Sequence, residues 1–144
     1  MQISTKGRYA LRAMIDLGLH MDQGPVLRKD IAERQEISFH YIGQFFVTLR
    51  KAGFIEGVKG PGGGYVLAQD ADKIRAGDII RAVEGPIALV QCVGPDPEKA
   101  CHRMDGCVTY LLWKRLSETI EEVLDSITLK DLCDQARGIA EAKS

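Results

Sequence analysis

Six residues, Lys59-Gly60-Pro61-Gly62-Gly63-Gly64, constrain this chain more than any other stretch. Four glycines and a proline exclude a helix and suit a tight reversal. The flanking runs Phe54-Ile55-Glu56-Gly57-Val58 and Tyr65-Val66-Leu67 are rich in β-branched and aromatic residues. The segment therefore reads as the tip of a short β-hairpin. A phosphate-cradling loop would need a following Lys-Ser/Thr and a helix, and neither stands there.

Three helical patterns precede the hairpin. Ser4 and Thr5 suit the start of a helix that runs to about Met21, with Tyr9, Ala13, Met14 and Leu17 at helical spacing. Gln23-Gly24-Pro25 stops it. A second helix fits Leu27 to Gln35, with Ile31 and Ala32 inward and Arg28, Lys29 and Arg34 outward. Glu36-Ile37-Ser38 is a tight connection, and Ser38 suits the cap of a third helix from about Phe39 to Ala52. That helix carries an apolar stripe of Ile42, Phe45, Phe46 and Leu49. Its opposite stripe is His40, Gly43, Gln44, Val47 and Lys51.

After the hairpin, a helix fits Ala76 to Val83, capped near Arg75-Ala76-Gly77-Asp78. Glu84 to Gly106 is irregular. A long helix from about Val108 to Ser126 sets Val108, Leu111, Leu112, Leu116, Ile120, Val123, Leu124 and Ile127 close to an a/d seam. Thr128 and Asp131 cap a short terminal helix, with fraying expected beyond about Gly138. The fold expected is mainly α with a small β-hairpin wing, a winged helix-turn-helix plus a long dimerisation helix. The expected units are residues 1–70 for DNA binding, 71–106 for a connecting helix and cysteine loop, and 107–144 for dimerisation and the terminal helix.

Two short helices, a tight turn and a basic glycine hairpin form an ordered combination that points to duplex DNA. One such helix fits a major groove of about 12 Å. The overall charge of −1 hides an asymmetry. Residues 1–65 hold 9 Lys and Arg against 6 Asp and Glu, and residues 66–144 hold 10 against 14. The front half is the one suited to a polyanion. Gln44 has the donor and acceptor geometry that reads adenine. Ser38 and the helix start suit a phosphate. Lys59 and a wing free of bulky side chains suit the minor-groove edge. The candidate DNA contacts are Lys6, Tyr9, Arg28, Ser38, His40, Tyr41, Gln44, Arg50, Lys59, Gly60, Gly62 and Gly63.

Cys92, Cys101 and Cys107 have eight and five residues between them, in a loop rich in Gly, Pro and Asp. Thiolates bind iron–sulfur clusters or zinc, and Cys107 stands where a helix dipole favours a thiolate. Three ordinary or reactive thiols are the other reading. Cys133, beside Leu132, reads as a small buried hydrophobe. No fourth ligand is evident, with His102, Asp105, Glu98 and Tyr110 nearby and a residue from a partner subunit as the alternative. No apolar run approaches about 18 residues, so no membrane span is expected. The opening Met1-Gln-Ile-Ser-Thr-Lys-Gly-Arg has no apolar leader, so the expected compartment is cytoplasm. No triad and no paired carboxylates stand out, so no enzyme is expected.

The opening Ser4-Thr5-Lys6-Gly7-Arg8-Tyr9-Ala10, the segment Leu49-Arg50-Lys51-Ala52-Gly53 and the wing Gly60-Pro61-Gly62-Gly63-Gly64-Tyr65 resemble signatures of the Rrf-two family of bacterial regulators. So do Val83-Glu84-Gly85 and the three cysteines leading into Leu112-Trp113. Within that family the chain resembles the IscR-type regulators of iron–sulfur cluster assembly. The resemblance implies a homodimer whose long helices cross between subunits. It implies a near-palindromic double-stranded operator read by residues 38–52, with the wing at 59–65. It implies a 2Fe–2S cluster on Cys92, Cys101 and Cys107, with 4Fe–4S as the other nuclearity kept open and the fourth ligand unknown.

This chain departs from the IscR pattern in four places. Eight residues rather than five separate the first two cysteines, and Tyr110 stands where a histidine ligand would. Arg8 and Gly43 occupy positions that are acidic in some relatives. Rival readings are a cluster-free DNA-binding regulator answering thiol oxidation or a small effector, an iron–sulfur carrier without DNA binding, and a module that binds a metabolic enzyme through its acidic half.

Overall fold

The computed structural model describes residues 3–144; Met1 and Gln2, the first residues of the segment read for a leader, lie outside the described residues. The described residues form six α-helices and one hairpin: α1 (Thr5–His20), α2 (Arg28–Gln35), α3 (Phe39–Lys51), β1 (Ile55–Gly57), β2 (Tyr65–Leu67), α4 (Ala76–Glu84), α5 (Val108–Asp125) and α6 (Leu129–Ala142). It is a mainly α winged helix-turn-helix, as the sequence leads one to expect. Among the described residues no helix is long and apolar enough to cross a membrane.

Local signals set the boundaries. Ser4 Oγ accepts the Gly7 N–H, and Ser38 Oγ accepts the Tyr41 N–H. Gly24, at φ 103°, lets the chain reverse after α1. α2 ends on Glu36, at φ 55°, which is the one non-glycine residue in the left-handed region among those described. The turn is closed by the Ile37 N–H donating to Ala32 O.

The core forms where α1, α2, α3 and α4 meet. α3 buries Ile42, Phe45, Phe46 and Leu49 to 1% exposure or less. They pack against Ala10, Ala13, Met14 and Leu17 of α1 and Ile31 of α2. An edge-to-face aromatic series runs Tyr9–Tyr41–Phe45–Phe46–Tyr65, with centroids 4.9 to 5.9 Å apart. It joins α1, α3 and β2, and each such pair adds about 0.5–1.5 kcal/mol beyond its buried area.

The hairpin pairs Ile55 with Leu67, Glu56 with Val66 and Gly57 with Tyr65. Tyr65 also exchanges both backbone hydrogen bonds with Val26, which moors the wing to the loop before α2. Gly64 is required at that mooring, because a Cβ there would stand 3.0 Å from Val26 O.

α4 and α6 complete the same core. Ile74, Ile79, Val83, Leu129 and Cys133 belong to the buried cluster. The Ala76 N–H donates to Ile127 O, and the Leu129 N–H donates to Ile74 O. Thr128 and Asp131 form the reciprocal cap of α6. Fraying was expected after Gly138, but α6 continues to Ala142. An exposed helical glycine costs only about 1 kcal/mol, and the alanines and glutamate around it are strong helix formers.

α5 stands apart. Ser117 is its one buried residue among those described, and Ser117 Oγ accepts the Leu89 N–H. Val108, Leu111, Leu112, Leu116 and Val123 are 39–80% exposed.

Candidate nucleic-acid interface and cysteine loop

With its inner stripe packed, α3 turns His40, Gln44, Val47 and Lys51 to solvent. Gln44 Nε2 lies 3.2 Å from His40 Nε2, so the two polar heads stand together one turn apart. Arg50 is exposed at the end of α3, and Lys59, Gly60 and Gly62 are exposed at the wing tip. Ser38 is engaged at the cap of α3. Lys6 is exposed on the first turn of α1. Gly63 is half-buried, at φ 56°.

Tyr9 and Tyr41, singled out with these residues, are half-buried members of the aromatic series. Their rings brace α3 against α1, while the Arg12 guanidinium lies 5.3 Å from the Tyr9 ring. Arg12 also donates to the Gln35 backbone carbonyl.

Two arginines behave in ways the pattern of spacing did not reveal. Arg34 is exposed, as expected, but its guanidinium also reaches Asp16, which is 1% exposed. Burial of a carboxylate demands a paired cation, and that demand outweighs the arginine's preference for water. Arg28 lies with its Cζ 3.7 Å from the centre of the Phe39 ring. Phe39 and Lys29, both exposed beside it, are not among the candidate contacts named from the sequence, although Lys29 is outward as expected. The adjacency of an exposed aromatic and a basic residue across a turn was the available signal.

In the cysteine loop, Cys92 is half-buried in a 3₁₀ turn, Gln91–Val93. Cys101 is exposed, and its Sγ accepts the Arg103 N–H. Cys107 is the residue before α5, with Sγ 3.0 Å from Thr109 Oγ1. The Thr109 hydroxyl above all, then the Tyr110 backbone N–H, hold the Cys107 thiol below its ordinary pKa. Burial pushes the Cys133 thiol up.

Three thiols are suitable donors for an iron–sulfur cluster. Among the described residues no three His, Cys, Asp or Glu side chains are gathered as a metal site, so the three thiols are not brought together in this arrangement of the loop. His20, on α1, lies with its Nδ1 2.8 Å from the Asp16 backbone carbonyl oxygen.

The exposed apolar stripe of α5 is the kind of surface that marks a protein interface.

Residues 3–135 match the sequence profile of a family described as "Rrf2: Iron-dependent Transcriptional regulator". The HTH-type transcriptional regulator IscR of Serratia proteamaculans is 46% identical over 132 residues, covering 92% of this chain and 79% of that protein. IscR of Yersinia enterocolitica matches to the same extent. Among solved structures, CymR, the global cysteine regulator of B. subtilis, superposes with a TM-score of 0.78 at 41% identity, covering 94% of this chain and 98% of CymR. T. potens IscR superposes with a TM-score of 0.77 at 42% identity, covering 94% and 88%.

Proposed function

This chain belongs to the Rrf2 family of transcriptional regulators, and on that footing we propose that it is a homodimer in which α3 and the wing grip a near-palindromic DNA duplex, with the cysteine loop reporting iron–sulfur or redox status. The observation that carries the DNA reading is the division of α3. Four large side chains fix one face in the core, while His40, Gln44 and Lys51 on the other are left to solvent beside a glycine-tipped wing. Gln44 is the base-reading residue, Lys59 the minor-groove cation, and Ser38 and Arg50 are phosphate contacts. Residues 1–70 make the DNA unit, 71–106 the connecting helix and cysteine loop, and 107–144 the dimer and terminal helices. A two-fold pair of such heads selects half-sites about one or two helical turns apart. The exposed stripe of α5 supports the homodimer, and the family's members support a cytoplasmic regulator that is not an enzyme.

Cys92, Cys101 and Cys107 are the residues we assign to a cluster, taken as 2Fe–2S. Their thiol chemistry and the likeness to IscR proteins support this. Because the thiols are not gathered, holding a cluster requires the loop to take a different arrangement. A second reading, with no cluster, is favoured by one observation: the Cys107 thiol is held below its ordinary pKa at a loop–helix junction, as in thiols that answer oxidants.

Duplexes selected from a random pool test the DNA reading. Gln44→Ala is expected to lose preference for the selected sequence, and Lys59→Ala to weaken binding with a shallower salt dependence. No salt-dependent duplex binding by the unaltered chain would refute it. Anaerobic iron and sulfide analysis separates the two cysteine readings. A full cluster on the unaltered chain that is lost in Cys101→Ala supports the first, and no iron at all supports the second.

A further inference from the structure

α3 has no side chain at position 43, and the space so left is occupied. A Cβ on Gly43 would overlap Arg28 Nη1 and stand 3.2 Å from its Cζ. Arg28 is the first residue of α2, so its side chain reaches across to lie on the flank of α3. There its guanidinium covers the ring of Phe39, which is itself 48% exposed. Arg34, Arg75 and Arg81 are each committed to a carboxylate. Arg28 pairs with none among the described residues. One flat face of its guanidinium is packed, and its N–H edge remains free to donate.

Arg28 borders a cleft between the start of α2 and the wing, lined also by Leu27, Lys29, Phe39, Gly62, Gly64 and Tyr65. Two cations and, among the described residues, no acidic side chain line it, and on the wing side glycine lets backbone come close. When a recognition helix lies in the major groove and a wing meets the neighbouring minor groove, the sugar–phosphate strand dividing the grooves passes between them. The cleft, with Phe39 at the start of α3 on one side and Gly62 and Gly64 of the wing on the other, lies where such a strand would run.

We propose that the cleft is a seat for a DNA phosphodiester and that Arg28 is its main donor, with Lys29 beside it. The proposal rests on the DNA-binding reading above. Gly43 is then a positioning residue. Its missing Cβ allows an arginine of the neighbouring helix to lie on α3, where Phe39 holds it flat.

The test uses the full chain and two labelled duplexes of about 30 base pairs, roughly three helical turns. One has random sequence, and the other is selected by the unaltered chain from a random pool. Binding of neither by the unaltered chain would sink the DNA reading and this proposal together. Where it binds, Arg28→Ala is expected to weaken both duplexes by a similar factor, about tenfold at low salt, and to reduce the salt slope by about one. Arg28→Lys keeps the charge but loses the stacked fork, and is expected to recover part of the loss. Gly43→Ala is expected to weaken both duplexes on its own and to add nothing in the Arg28→Ala background, since it acts by displacing that guanidinium. Unchanged affinity and slope for Arg28→Ala would overturn the seat while leaving DNA binding intact. A loss confined to the selected duplex, with the slope unchanged, would make Arg28 a base reader and overturn the phosphate assignment. Gly43→Ala binding as tightly as the unaltered chain would overturn the positioning role.

Discussion

Arg34 grips the buried carboxylate of Asp16 with a fork, Nη2 donating to Oδ1 at 2.7 Å and Nε to Oδ2 at 3.0 Å. Gln35 Nε2 adds a bond to Oδ2 at 3.0 Å. The Asp16 hydrogen bond raises the Arg34 pKa, so the guanidinium stays charged across the physiological range. This clasp ties α1 to α2, the first helix of the helix-turn-helix. Arg34→Ala leaves a carboxylate buried without its cation. A buried pair broken in this way costs about 3–5 kcal/mol, and the partial exposure of Arg34 puts the expectation near about 3 kcal/mol. Urea unfolding followed by circular dichroism reads the loss as a lower midpoint, and an unchanged midpoint would contradict it.

Glu36 holds a left-handed backbone conformation that side chains disfavour by about 1–2 kcal/mol. Glycine has no such penalty but loses more freedom on folding. Glu36→Gly is therefore expected to stabilise the chain by roughly 0.5–1 kcal/mol, visible as a higher melting temperature. A lower one would mean that the Glu36 side chain makes a contribution its exposed position does not suggest.

The open stripe of α5 predicts a change of assembly. Leu111 and Leu112 are 63% and 49% exposed and neither belongs to the buried core, so a paired Leu111→Glu and Leu112→Glu variant leaves that core intact. Its helical content is expected to match the parent. In sedimentation the parent should run as a dimer and the variant as a monomer at micromolar concentration. Equal sedimentation of both would remove α5 as the interface.

The two unlike thiols give a pH-dependent prediction. A depressed pKa means that the thiolate of Cys107 is present at a pH where an ordinary thiol is still protonated. The raised pKa of Cys133 means the reverse. With iodoacetamide and peptide mapping on the cluster-free protein, labelling of Cys107 should begin at lower pH than labelling of Cys133, which is 3% exposed. Thr109→Ala should move the Cys107 profile upward by removing its largest cause. Identical profiles before and after that change would count against the hydrogen bond.

The features that sequence spacing revealed are those that local chemistry decides. Ser4, Ser38 and the Thr128–Asp131 pair are caps because their side chains reach backbone N–H groups three residues away. Ile42, Phe45, Phe46 and Leu49 fall on one side of a 3.6-residue period, so burial of that face follows at once. Arg34 and Asp16 are 18 positions apart, and nothing in either neighbourhood links them. Arg28 settles on Gly43 only because α2 crosses α3 at that point. Sequence marks Gly43 only as a place where some relatives carry an acid, whereas the fold lays the Arg28 guanidinium where a Cβ would stand. Cys133 read correctly as buried, but its neighbour Gly18, where a Cβ would come 2.7 Å from the sulfur, belongs to the packing of α6 on α1. Three cysteines can be counted in a sequence, but whether their sulfurs meet depends on the path of a loop without periodicity.

The junction at residues 74–76 and 127–129 fixes one end of α5 to the molecule. Backbone bonds join the two segments, and Arg81 of α4 donates to Asp125 at 2.7 Å. Among the described residues no backbone bond ties the Cys107 end to that core, and part-way along α5 Ser117 Oγ accepts the Leu89 N–H. An 18-residue helix is about 27 Å long, so a tilt of about 10° at its foot would carry the Cys107 end through about 5 Å. Conversely, a displacement at the cysteines would be felt at α4, which lies against both α1 and α3.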